Sequence, residues 1–551
     1  MRSASPSLTY LGCLGLMLGG CAGNMVDSTG AAGSGSPGSA GSGASGATGQ
    51  AGTTGQAGTT GQAGTTGQAG TTGQAGNGGP AGTTGASGSG PGVAGTTGNA
   101  GRGGSGAAGT TGNAGRGGSG PAGTTGSGGS GTGSCTFTPT ATTSTKIPTV
   151  GIVTFTTTAT GLTSAKIEFG ATTSYGMTAP VDLAAPSYRT LLLGMKPTRM
   201  YNYRIVATGS GGTCMSGNYT LMTGARANGL QAVTLAPATA TGTNGGFLIS
   251  GQYVQNAGAT GAPAYILDAD GEYVWWYTVP GGDANGVRMS YDGKYMWINR
   301  ANVPSGTASV HRVSMDGMTD DNYSTQFAGQ NHQLTVLPDE TIAFYAYGSN
   351  GCDDIKERAP NGTVKTIVNS RTANGTSGGC HVNTVQHSPT DDTLVFSDLN
   401  HDCITKVTRT GQTVWVLNGS TKTITGGDTW LGGQHGIDII GMDRLLIFNN
   451  NSSVNGGTGD GTGSIAAEYV VNVTGKTAMR AWSYKASSPR IQNDIMGDVQ
   501  RLENGNTFIA YSTKSTAVEV NASGQVLQQW TFPTTFGYIE KRLSLYGPPP
   551  K

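Results

Sequence analysis

"LDADGEYVWWY", residues 267–277, joins two apolar runs through an Asp-Gly turn. Asp-Gly or Asn-Gly between alternating apolar residues is a strong short-range hairpin signal, because Gly accepts the positive φ of a tight turn. A Gly turn recurs at the same place in "VSMDGM" (313–318), "RAPNGTV" (358–364), "VTRTGQTVWVL" (407–417), "VVNVTGKTAMRAWSY" (470–484) and "EVNASGQVLQQWTF" (519–532). Each turn follows an apolar strand, a turn, a second strand and a third. Six copies of about 40–55 residues have the size of four-stranded propeller blades. No stretch carries a helical period. The predicted fold is all-β, with a six-bladed β-propeller over residues 227–551.

Residues 135–226 alternate apolar and polar side chains in short strands, "VGIVTFTTT" (150–158), "SAKIEFG" (164–170) and "MYNYRIVATG" (200–209) among them. This spacing predicts a small antiparallel sandwich. "AKIEFGATTSYG" and "LLGMKPTRMYNYRIVA" resemble fibronectin type III-like domains. The expected role is a spacer or dock without chemistry.

Residues 22–134 are almost entirely Gly, Ala, Ser and Thr, including the run "AGTTGQAGTTGQAGTTGQAGTTGQ". Such a segment lacks apolar side chains to offset chain entropy and is expected to be disordered. Glycine at every third position raises a collagen reading, but proline is nearly absent and the phase slips. As a coil of about 110 residues it has a root-mean-square reach of roughly 55–65 Å.

The start, "MRSASPSLTYLGCLGLMLGGCAGN" (1–24), is too short to span a bilayer and reads as an export signal. "LGGC" resembles a bacterial lipobox, which makes Cys21 the expected lipidation site and the mature N-terminus. Ala22 follows it, so the outer membrane is the expected location in a Gram-negative cell, the head facing the periplasm or the exterior. Export permits disulfides. Cys135 and Cys214 bracket the small domain and are expected to pair; Cys352 with Cys380 is the favoured second pair, leaving Cys403 over. The net charge of +1, without a long basic tract, gives nucleic-acid binding no electrostatic support.

The chain has six histidines. Three open the first strands of consecutive blades: His332 in "NHQLTVLPDETIAFYAYG", His381 in "CHVNTVQHSPTDDTLVFSDL" and His435 in "QHGIDIIGMDRLLIFNN". The innermost strand of a blade lines the central channel, so these imidazoles are expected at one rim, pointing inward. The second strands return there, bringing "YGSNGC" (347–352), "SDLNHD" (397–402) and "FNNN" (448–451) around them. His311 and His387 lie near turns and are expected at the surface; His401 lies in a rim loop.

Three imidazoles suit zinc, but no Asp or Glu directly flanks them as an outer-shell partner, and the expected metal is none. Three unrelated, hydrogen-bonded histidines are the plain alternative. A third reading is a nucleophile in an oxyanion pocket, since a neutral imidazole attacks sulfur or phosphorus and holds the group covalently. Asn383 then adds an amide donor that never deprotonates.

"NHQLTVLPDETI" (331–342), "HVNTVQHSPTDDTLVFS" (381–397), "QHGIDIIGMDRLLIFNN" (434–450) and "GDVQRLENGNTFIAYS" (497–512), in order at blade spacing, resemble the bacterial arylsulfate sulfotransferases, exported propeller enzymes that do not use PAPS. The resemblance implies sulfuryl transfer from an aryl sulfate to a phenol through a sulfohistidine, with no cofactor. It makes His435 the nucleophile and His332, His381 and Asn383 ligands of the sulfuryl oxygens. Two departures stand out. The family's arginine at the end of the fourth blade's second strand is missing from "SDLNHD", where His401 is the expected stand-in as a substrate-binding residue. Gly436 replaces the aspartate that often follows the nucleophile. A non-catalytic tethered propeller binding an anionic or aromatic ligand, or a partner protein, is the other reading.

Overall fold

The computed structural model describes residues 135–548, apart from 238–240, 255–259, 302–308, 349, 426–430 and 455–456. The export signal, Cys21 and the Gly-rich linker lie outside the described residues. The described part is all-β apart from short helical turns such as Ser370–Asn374, where the Asn369 side chain caps Arg371 N.

The first 90 or so residues of this part form two sheets over one core. One contains Phe137–Thr143, Gly151–Thr157 and Thr190–Leu192; the other is built around Ser164–Gly170 and Met200–Gly209. Alternation along Gly151–Thr157 turns Val153 and Phe155 inward, against Ile167, Phe169, Tyr203 and Ile205 of the facing sheet. The Cys135–Cys214 disulfide closes this unit across 79 residues, as expected.

Six antiparallel sheets follow. Sheet I holds Phe247–Gly251, Pro263–Asp268 and Tyr273–Thr278. Sheets II to V each take four consecutive strands, beginning at Asp283–Met289, Gln330–Val336, Val382–Ser388 and Ile437–Gly441. Sheet VI begins at Asp498–Arg501. The recurrent Gly turns each join a sheet's last two hairpin strands. Successive sheets share buried apolar clusters: Tyr345 of sheet III packs with Val385 and Phe396 of sheet IV, and Val395 and Trp415 of sheet IV with Ile437 and Ile447 of sheet V.

The last sheet also packs on the first. Leu248 and Tyr265 of sheet I share a core with Phe508 and Trp530 of sheet VI. The chain's ends are exchanged across this joint: Glu540–Arg542 completes sheet I as its inner strand, and Thr234–Leu235 adds to the outer edge of sheet VI. Sheets I and VI are thus composites of early and late chain. The sequence pattern did not reveal this, because both segments are too short to show a period.

The small unit is bonded to sheets I and II. Thr149 Oγ1 donates to Val274 O (2.7 Å), Tyr546 OH donates to Leu191 O (3.0 Å), and Ile147 and Leu193 join the core of Trp275 and Val313.

Candidate functional site

His332, His381 and His435 meet. The Nε2 atoms of His332 and His381 are 3.3 Å apart, and the His332 ring centroid is 6.2 Å from that of His435. With Tyr253, Leu399, Ile495 and Met496 they line a small cavity. Its wall is therefore three imidazoles, one phenol and three aliphatic or thioether side chains.

His332 reaches the cavity by a local irregularity at the start of its strand, whereas His381 and His435 stand just before theirs. The ladder of sheet III shifts register between Gln330 and Leu334, and His332 within it has φ +44°. That left-handed backbone is uncommon for a non-glycine residue and re-aims the side chain. Asn331 Oδ1 accepts from His332 N at 2.9 Å, and Asn299 Nδ2 donates to His332 O at 2.6 Å. His381 directly precedes its strand, with its N–H donated to Asp398 Oδ1 (3.0 Å). The Cys352–Cys380 disulfide, the second expected pair, fastens the residue before it; Cys403 is free and buried. His435 lies two residues before its strand and donates its N–H to Phe448 O (2.9 Å).

His332 and His435 are buried and His381 is half-buried, and burial disfavours the imidazolium. It drives His332 well below the usual imidazole range, helped by His381 and His435. It lowers His381 too, although Asp398 acts against it. It takes His435 down to about 4, against the opposing hydrogen bonds to Asn450 and Gly433. The site therefore presents neutral imidazoles at pH 7. His435 Nδ1 faces Asn450 Oδ1 at 2.8 Å and Gly433 O at 3.0 Å, which leaves Nε2 as its other polar atom.

Asn383 sits fully buried beside His435 and is not a cavity wall; its Nδ2 donates to Gln434 O at 2.8 Å. Its main chain is held by Tyr538, whose OH donates to Asn383 O at 2.6 Å. His401 is not brought to the cavity either. Its Nδ1 lies 2.9 Å from Asp398 Oδ2 and its Nε2 3.2 Å from Ser377 O. Asp398, which would repel an anion if it faced the pore, is turned inward: His381 N, Asn400 N, Asn374 Nδ2 and His401 all bond to it.

Gly436 has a steric cause. A Cβ there would lie 2.2 Å from Asp498 Oδ1 and 2.6 Å from Asp498 Cα, so the inner strand of sheet VI leaves room only for glycine. Among the other histidines, His311 departs from its expected surface position. It is buried in Ser309–Ser314, with Nδ1 2.6 Å from Asp320 Oδ1. His387 pairs with Asp392 at 2.8 Å. Of the side chains around His435, Asn450 and the apolar wall of Ile495 and Met496 had no signal beyond proximity to a rim segment.

Residues 359–541 match the family model described as Arylsulfotransferase (ASST). No curated protein matches the chain. Among solved structures, it is similar to a protein of unknown function from Bacteroides caccae at 14% identity, covering 54% of this chain and 98% of that one, TM-score 0.37. It is similar to TolB from Acinetobacter baumannii at 10% identity, covering 63% and 80%, TM-score 0.37. It is also similar to virginiamycin B lyase from Staphylococcus aureus at 12% identity, covering 55% and 75%, TM-score 0.31.

Proposed function

We propose, supported by the match of residues 359–541 to the arylsulfotransferase family model, that this chain is a member of that family and moves a sulfuryl group from an aryl sulfate to a phenol without PAPS. In this reading the six sheets are the blades of a closed propeller. The small unit is a fibronectin III-like dock, and a lipid on Cys21 tethers the head to the outer membrane through the Gly-rich linker.

The convergence of His332, His381 and His435 on one cavity carries the proposal. The lone pair of His435 Nε2 attacks sulfur; an S–N bond forms as the S–O bond to the aryl group breaks, and the phenolate leaves. In the second half, the acceptor phenol passes its proton through solvent to the released phenolate, its oxygen attacks sulfur of the sulfohistidine, and the S–N bond breaks to return neutral His435. Charge on the sulfuryl oxygens is spread in a loose transition state, so fixed hydrogen-bond donors do most of the work. His332 and His381 supply them. Leu399, Ile495 and Met496 give the aryl ring an apolar wall.

The absence of any Lys or Arg among the described residues that line the cavity favours one second reading, a tethered binding module for an aromatic or anionic ligand. Purified protein separates the two. With a chromogenic aryl sulfate and excess phenol, a transferase releases the chromophore and forms the new ester. Without acceptor, mass spectrometry finds a sulfuryl adduct on His435. Folded protein that does neither at several pH values is a binding module.

A further inference from the structure

We infer that Asn450 is a positioning residue for His435, holding the ring proton on Nδ1 so that Nε2 offers its lone pair to the cavity. The inference rests on the reading of His435 as the sulfuryl acceptor. An amide can present either its oxygen or its nitrogen to a neighbour, and here that choice is made by its surroundings. Asn450 Nδ2 donates to Asn493 O at 2.6 Å and to Met496 O at 2.8 Å. Two carbonyls can be satisfied only by the NH₂ end, so Oδ1 is left to face His435 Nδ1 at 2.8 Å. Gly433 O, 3.0 Å from the same nitrogen, is a second acceptor. Both demand Nδ1–H.

The clamp is itself fixed. Asn450 O accepts from Ser464 Oγ (3.1 Å) and Gln492 Nε2 (3.0 Å). Asn493 Nδ2 donates to Ile495 O and Met496 O, both at 2.9 Å, while its Oδ1 accepts from Thr513 N (2.9 Å) and Oγ1 (2.8 Å). Asn450 and Asn493 are completely buried. Ile495 and Met496 also line the cavity, so one amide network sets both the proton on the nucleophile and the wall beside it. A neutral amide suits this role because it fixes the tautomer without adding a negative charge beside a site for an anion.

The test begins with the unaltered protein, labelled with ¹⁵N-histidine and free of donor. Its His435 signals, assigned by their loss in His435→Ala, are expected to show a protonated Nδ1 and a bare Nε2 at pH 7. A proton on Nε2, in protein that transfers sulfuryl groups, overturns the inference while the transferase reading stands. No transfer by the unaltered protein removes both. Asn450→Ala is then expected to slow adduct formation about 10- to 100-fold, the usual loss when an outer-shell partner of a working histidine is removed. KM for the donor should stay within about threefold, because Asn450 does not face the cavity. An unchanged rate and unchanged ring signals in that variant overturn the role.

Discussion

His332 Nε2 and His381 Nε2 lie 3.3 Å apart, delivered from two different sheets. At that distance one nitrogen donates and the other accepts, so the two rings share a single bridging hydrogen. In the proposed reaction, a sulfuryl oxygen entering between them takes a hydrogen bond from the ring that carries the Nε2 proton, and from the other once its own proton shifts to Nε2. The two rings therefore act as one unit. Removing either, by His332→Asn (Asn accepts the left-handed φ) or His381→Ala, should slow formation of the His435 adduct by about 10²–10³-fold. The double variant should be little worse than the slower single one, because members of a unit are not additive. Stopped-flow release of a chromogenic phenol measures this; two losses that multiply would show independent side chains.

Burial takes His435 down to about 4, so its ring stays neutral over the physiological range. Adduct formation should be flat from about pH 8 to 5 and fall toward 4. Stability responds with a definite sign. The unfolded imidazole binds a proton near pH 6.5 and the folded one only near 4, so stability rises with pH across that window. For His435 alone the difference approaches about 3 kcal/mol. Asp353, raised to about 7 by burial, and Asp498, raised to about 6, act oppositely and favour the fold as pH falls. The clean comparison is urea midpoints of the wild type and His435→Ala at pH 7 and 5. The variant should lose less stability on acidification; equal losses would mean His435 is not held neutral.

The Gly turns were legible because a tight hairpin leaves a residue-level mark, and the three histidines because each opens an inner strand with a period of two. What surrounds them was not. The +44° φ of His332 answers to the bulge and to Asn299 Nδ2, a donor from another sheet. Asp398 looked hostile to an anion in one dimension; in three, donors from His381, Asn374, Asn400 and His401 absorb its charge. Asn450 is one of three consecutive asparagines, and only the carbonyls of Asn493 and Met496 distinguish it from its neighbours. Strand punctuation is local chemistry, while side-chain direction at a rim is fixed by residues tens of positions away.

His401, expected among the substrate ligands, instead has both ring nitrogens committed, and its bond to Asp398 raises its pKa. A raised pKa means that the pair stabilises the fold fully below about pH 6.5, and that this is lost as pH rises through the folded value. His401→Gln should cost about 1 kcal/mol at pH 6, the order of a partly screened ion pair, and less at pH 8. Transfer rates should change less than about twofold, since the ring is not a cavity wall. A large loss of donor affinity at unchanged stability would return His401 to the substrate.

Lys541 and Glu519 hold the joint between the last sheet and the first. Nζ lies 2.6 Å from Oε2, both side chains are almost fully buried, and the ammonium stands 5.1 Å from the Trp530 ring centroid. Glu519 Oε1 also accepts from Asn506 Nδ2 (2.6 Å) and Asn244 N (2.7 Å), so the carboxylate is tied to the chain on both sides of the joint. Beside it, Lys541 N donates to Gln500 Oε1 at 2.7 Å and Gln500 Nε2 to Lys541 O at 2.9 Å. Removing one member of a buried pair strands the other's charge. Lys541→Met should therefore destabilise the protein by about 3–5 kcal/mol in urea denaturation. Adding Glu519→Gln removes the stranded charge but keeps an oxygen acceptor for Asn506 and Asn244, and should recover much of that loss. A single variant within about 1 kcal/mol of wild type would show that the joint is held by apolar packing alone. The histidine site should be affected only through global unfolding, because Lys541 and Glu519 do not line its cavity.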